Sequence, residues 1–314
     1  MKKKLYIVVM LIVSFIVIQF VNIESHKEND RSIANERVHY KLTNVDGISS
    51  VYNEIFSSEI EIYLNITPYT SDTKKVAYFI FMNGKQVVCK WNDEKTSIYR
   101  HEIVPNNDEL IKITISDIPK GVNTFHIGTV YFPDKLDFDD EELLFEQETI
   151  LNLKSFTVVN EKSKNVNDFV HREEYVNPTE LLTTVNGDIS KKYDEVLITT
   201  SNKYSESKKL YYHWINDTEA KKNVRFSLLL DWKQIEWPNT KEFFIDILVN
   251  PGEVITAELD LSNFQNNGEQ LCVVAFLNPG VSFWFVDEED KNNTIKADGD
   301  GALAFSTYRT SLKK

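Results

Sequence analysis

Cysteine is nearly absent: Cys89 and Cys272 are the two in 314 residues, too few for a disulfide framework. Both sit in apolar strand-like runs, Val87-Val-Cys-Lys-Trp91 and Leu271-Cys-Val-Val274. This predicts buried free thiols rather than a bridge, whose geometry is demanding. Motifs of catalysis are missing as well. The chain has no His-Glu-x-x-His, no Gly-x-Ser-x-Gly and no phosphate-cradling Gly-rich loop, and its six histidines (His26, His39, His101, His126, His171, His213) show no metal-ligand spacing. The expectation is a protein that is not an enzyme and carries no cofactor; an extracytoplasmic hydrolase with a site assembled from distant positions is the third-ranked alternative. Positive charge is outweighed, 35 Lys and Arg against 48 Asp and Glu for a net charge of −13. That balance argues against nucleic acid and against adsorption to anionic lipid. Apolar residues at helical spacing are lacking beyond the N-terminal segment.

The N-terminal segment is the one long apolar run. After Met1-Lys-Lys-Lys, Leu5 to Val21 carries no charge over 17 residues, roughly 26 Å as a helix at 1.5 Å per residue. This is near the lower limit for a bilayer span and above the usual signal-peptide core. Residues 1–25 are therefore expected to be a membrane anchor, crossing through residues 5–21 as a transmembrane helix. The alternative is a signal segment cleaved before secretion. The lysines hold the N-terminus inside, which places the rest of the chain outside. Residues 26–37 are polar and read as a stalk.

Beyond the stalk, strand signals dominate. Ile60, Ile62, Leu64 and Ile66 alternate with Glu59, Glu61, Tyr63 and Asn65, and Asn83-Gly84 between apolar runs marks a tight hairpin. Three blocks then recur in order. Tyr78-Phe-Ile-Phe-Met-Asn-Gly-Lys-Gln-Val87 matches Phe226-Ser-Leu-Leu-Leu-Asp-Trp-Lys-Gln-Ile235 at an offset of 148, Glu109 to Ile115 matches Glu253 to Leu259 at 144, and Phe125 to Pro133 matches Leu271 to Pro279 at 146. The spacing predicts an all-β chain of two tandem immunoglobulin-like antiparallel β-sandwich domains, at residues 38–160 and 178–314, joined by a polar linker over 161–177. Trp232 stands where Gly84 stands in the first repeat, and so bulky a residue suggests a longer or different turn there.

Candidate binding residues are few. Trp232 beside a hairpin tip and Trp237 before Pro238 could stack on a sugar or seat a partner, while Trp91, Trp214 and Trp284 read as core. Asp137, Asp139 and Asp140 in an acidic loop, and Asp298 with Asp300 in an Asp-Gly-Asp-Gly turn, are oxygen donors of the kind Ca²⁺ takes, but their spacing fits solvated loops better. The leading functional expectation is a non-catalytic bacterial envelope protein whose two sandwiches contact another envelope or surface protein. Binding of cell-wall glycan through exposed tryptophans is the alternative.

Overall fold

The computed structural model describes residues 37–134, 151–161, 182–184, 199–200, 209–216, 219–238, 240–260, 264, 270–279, 281, 284–286, 295–297, 303–306 and 310–311. The anchor expected over residues 1–25, the stalk up to residue 36 and the linker from 162 onward lie outside the described residues, as do the acidic loop and the Asp298 turn. Among the described residues every regular element is a strand, and no helix is long and apolar enough to cross a membrane.

In the N-terminal half one sheet runs in the order β1 (Arg37–Thr43), β3 (Ile60–Tyr69), β9 (Glu109–Ile115), β6 (Cys89–Trp91) and β7 (Glu94–Thr96). The sheet facing it runs β2 (Tyr52–Ile55), β11 (Asn152–Asn160), β10 (Gly121–Tyr131), β4 (Lys74–Met82) and β5 (Lys85–Val87), with β8 (Tyr99–Ile103) also on β4. Pairing is antiparallel except between β2 and β11. The alternation on β3 does what its period of two requires: Ile60, Ile62, Leu64 and Ile66 are buried between the sheets, with Ile111, Ile113 and Ile115 of β9 beside them.

The C-terminal half contains a sheet of β12 (Leu182–Thr184), β18 (Val254–Asp260), β14 (Lys209–Ile215) and β13 (Thr199–Thr200). A second contains β16 (Lys233–Ile235), β15 (Lys222–Leu230), β19 (Gln270–Leu277) and β22 (Leu303–Ser306), with β17 (Phe244–Val249) on β15 and β23 (Thr310–Ser311) on β19. A two-stranded ribbon pairs β20 (Trp284–Val286) with β21 (Ile295–Ala297). Trp214, Val224, Phe226, Leu228, Trp237, Ile255 and Val273 belong to its core. Ile255 thus faces inward as Ile111 does.

The two halves share their hydrogen-bond register. Met82 lies opposite Phe125 as Leu230 lies opposite Leu271, Ile80 opposite Val87 as Leu228 opposite Ile235, and Leu64 opposite Ile111 as Trp214 opposite Ile255. Register is set by which face is buried, so a slip of one residue in either half would have inverted every pair.

The turns between β4 and β5 and between β15 and β16 correct one sequence expectation. They have the same length, and both central residues of each lie at positive φ: Asn83 at 52° and Gly84 at 80°, Asp231 at 48° and Trp232 at 68°. A Trp in this left-handed conformation is strained. Burial of its ring, described next, is what holds it there.

Candidate functional site

Three strands are apolar without alternation: Val76 to Phe81, Leu228 to Leu230 and Leu271 to Leu277 are buried throughout. A strand of this kind has both faces covered. One face fills the core of its own half, and the other packs against the opposite half. Phe79, Phe81, Val130 and Leu151 of the N-terminal half form one cluster with Leu229, Trp232, Cys272, Val274 and Phe276 of the C-terminal half. The Phe81 and Phe276 rings meet edge to face with centroids 4.9 Å apart, and Phe79 stacks on Trp232 at 6.5 Å. The halves therefore stand back to back along an apolar seam.

Polar bonds at the rim of the seam are reciprocal. The Gln86 backbone N–H donates to Gln234 Oε1 at 2.7 Å, and the Gln234 N–H donates to Gln86 Oε1 at 2.7 Å. Gln86 Nε2 donates to the carbonyl of Trp232, and Gln234 Nε2 to the carbonyl of Gly84. Gln86 and Gln234 are the residues aligned at the offset of 148, so like meets like about an approximate two-fold axis, as in an isologous interface. Arg225 adds an unsymmetrical latch. It is held by Asp246 through two bonds of 2.7 and 2.6 Å, stacks over Phe244, and donates from Nη1 to the carbonyl of Asn83 at 2.6 Å.

The tryptophans put forward as binding residues are used internally. Trp232 is 2 % exposed, with its Nε1 donating to the carbonyl of Pro133 at 2.9 Å, and Trp237 is 1 % exposed, donating to the carbonyl of Phe226. Neither offers a ring face to a sugar or a partner. That reading is corrected because the indole area is buried where two sheets meet, which position beside a turn does not reveal. Asp137, Asp139, Asp140, Asp298 and Asp300 lie outside the described residues. Among the described residues no three His, Cys, Asp or Glu side chains lie close enough to hold a metal ion. Cys89 and Cys272 are buried and not joined in a disulfide, and burial pushes the Cys89 thiol up to about 12. A thiol so rarely ionised is a poor nucleophile.

An accessible site lies on the N-terminal half. Among the described residues strand β1 is the edge of its sheet, paired on one side with β3. Its apolar residues Val38 and Tyr40 lean onto the core, so Arg37, His39 and Lys41 alternate onto the opposite, exposed face. Two backbone contacts orient the strand: the carbonyl of Leu42 accepts from the N–H of Ser50, and the carbonyl of Tyr40 accepts from the amine of Lys154 on β11. Both lie away from β3, so in an antiparallel ladder the even-numbered residues turn their backbone N–H and C=O groups to the free edge. Opposite, β2 pairs with β11 only over Thr157 to Asn160, and among the described residues this leaves the sandwich open beside Lys154. A cavity of about 670 Å³ occupies the opening, lined among others by His39, Tyr40, Lys41, Thr67 and Lys154. Partial burial lowers the pKa of the Lys154 amine from the usual lysine value. The sequence already contained the signal, Arg37-Val-His-Tyr-Lys41, but only the pairing shows that this strand is an edge.

No protein-family model matches the chain, and no curated protein matches it. Among solved structures, the chain is similar to the CARDB domain of a Pyrococcus furiosus protein in complex with di-metal ions, at 6 % identity over 40 % of this chain and 88 % of that one, with a TM-score of 0.26. A Caenorhabditis elegans member of the MSP family, WR4, gives 9 % identity over 40 % of this chain and 97 % of that one, with a TM-score of 0.23. Native alpha-2-macroglobulin from Escherichia coli gives 12 % identity over 62 % of this chain and 23 % of that chain, with a TM-score of 0.26.

Proposed function

We propose that the protein is a non-catalytic envelope protein in which two tandem immunoglobulin-like sandwiches, fixed back to back, present their outer edges to another protein at the cell surface. The observation that carries this reading is the seam. It buries both tryptophan-bearing turn and strand faces in one cluster and closes it with the reciprocal Gln86 and Gln234 bonds. A unit built this way offers outward the sheet edges and end loops, which is the surface that protein partners engage. Tandem duplication is supported by the equal registers of the paired strands and by the offset of 148 that relates Gln86 to Gln234. In this reading Leu5 to Val21 anchors the chain and the sandwiches lie outside the membrane.

Cell-wall glycan is the competing ligand, and one experiment separates the two. Fluorescently labelled full chain in detergent micelles is added to intact cells before and after protease shaving of their surface. Protein contact predicts that shaving removes the saturable binding. Binding that survives shaving and is competed by wall glycan fragments contradicts it.

A further inference from the structure

We propose that the free edge of β1, from Arg37 to Lys41, takes an extended acidic segment of a partner protein as an added strand. The inference rests on the reading of the protein as a protein-contact module and names the chemistry of the contact.

Four observations converge on it. The backbone N–H and C=O of Val38 and the N–H of Tyr40 face away from β3, and the Tyr40 carbonyl, which accepts from Lys154, has a second lone pair, so an incoming strand finds donors and acceptors at ladder spacing. Arg37, His39 and Lys41 share one face of the strand and are all exposed. None of the three is ion-paired among the described residues; Arg37 and His39 instead rest against the ring of Tyr69. In a chain of net charge −13 this is a local reversal of sign, and a strand with carboxylates directly opposite would pair Arg37 and Lys41 and accept a hydrogen bond from His39. Finally, the cavity runs over the β1 edge, from His39, Lys41, Asn65 and Thr67 on the outer face to Lys154, and so leaves room along that edge for an added strand. Among the described residues the acidic groups on the adjoining chain segments are Asp46 in the turn after β1 and Asp72 after β3, both exposed; Glu36, next to Arg37 in the sequence, lies outside them. Lysine near an edge commonly deters strand addition. Here the basic charge selects instead, because a neutral or basic strand meets Arg37 and Lys41 without compensation.

The partner segment is thus expected to alternate acidic residues, lying opposite Arg37, His39 and Lys41, with small or apolar residues on the face of Val38 and Tyr40. The test uses the purified full chain in detergent micelles and a fluorescein-labelled peptide of alternating Glu and Val, read by fluorescence anisotropy. Saturable binding is expected. It should weaken at least about tenfold when Glu is replaced by Gln in the peptide, or when His39→Glu and Lys41→Glu are combined in the protein. Val38→Pro removes an outward N–H while leaving the bonds to β3, and should weaken binding by a similar factor with the melting temperature little changed. Should that variant fail to fold, the same peptide carrying N-methyl groups on alternate residues tests the backbone requirement on the unaltered protein. Equal binding of the N-methylated or a scrambled acidic peptide would show charge adsorption and overturn strand addition. So would displacement of the peptide by free glutamate, which would make the cavity a small-carboxylate site, and so would no binding at all. If the peptide fails while protease-sensitive binding to cells persists in the His39→Glu, Lys41→Glu protein, the contact module stands and uses another surface.

Discussion

Trp232→Ala is expected to lower the stability of the protein by about 3–5 kcal/mol, the range for removing a large buried aromatic. The side chain is shared between the two halves. Its ring stacks on Phe79, its Nε1 bonds the Pro133 carbonyl, and its neighbours Cys272, Val274 and Phe276 line the same cluster. Alanine would leave a cavity bounded by two sheets that cannot collapse independently. The strained backbone supplies an internal control. At φ 68° alanine keeps the strain that Trp232 bears and glycine removes it, so Trp232→Gly should be less damaging than Trp232→Ala by about 1 kcal/mol. Denaturant midpoints of the two variants check both statements. An alanine variant as stable as the parent would mean that the seam contributes little.

Gly84→Val has the second large effect, with an expected loss of about 2–4 kcal/mol from two sources. Valine at φ 80° is held in a conformation that β-branched residues avoid, worth about 1–3 kcal/mol. A Cβ at this position would also stand 2.5 Å from Cδ of Arg225 and 3.2 Å from the Phe276 ring, both from the opposite half. Overpacking of that kind costs typically 1–3 kcal/mol, and the Arg225 stem is pinned by Asp246 and cannot easily swing clear. Gly84→Ala should lose less, since it adds one methyl group. An unchanged midpoint for Gly84→Val would contradict both the turn and the seam.

These two positions mark where the sequence could be read and where it could not. The Asn83-Gly84 hairpin was legible because local chemistry alone favours positive φ there. The matching turn was not: Asp231-Trp232 runs against local preference, and a contact made with Phe79, some 150 residues away, overrides it. Strand positions were largely legible. Lys209 to Ile215 and Gln270 to Leu277 coincide with β14 and β19, and the β3 alternation buries the residues it marks. The apolar runs at Val76 to Phe81 and Leu271 to Leu277 also carried information about the seam, since a strand without alternation needs a cover on each face. What they lacked was the identity of the cover. Reciprocal pairing of Gln86 with Gln234 depends on the mutual placement of two sheets, and no local period encodes it. The basic stripe on β1 was not legible, because Arg37 reads as the end of the stalk, and its exposure follows from which strand ended up last in the sheet.

The claim that organises the rest is that the seam fixes the two halves as one rigid unit. Pulsed electron paramagnetic resonance between nitroxides on Lys95→Cys and Lys241→Cys, exposed positions in opposite halves, tests it directly; the native Cys89 and Cys272 are buried and shielded from labelling. The account predicts a single narrow distance distribution in the labelled protein, broadened when Trp232→Ala opens the seam. A broad distribution in the otherwise unaltered protein would show that the halves move independently, and would contradict it.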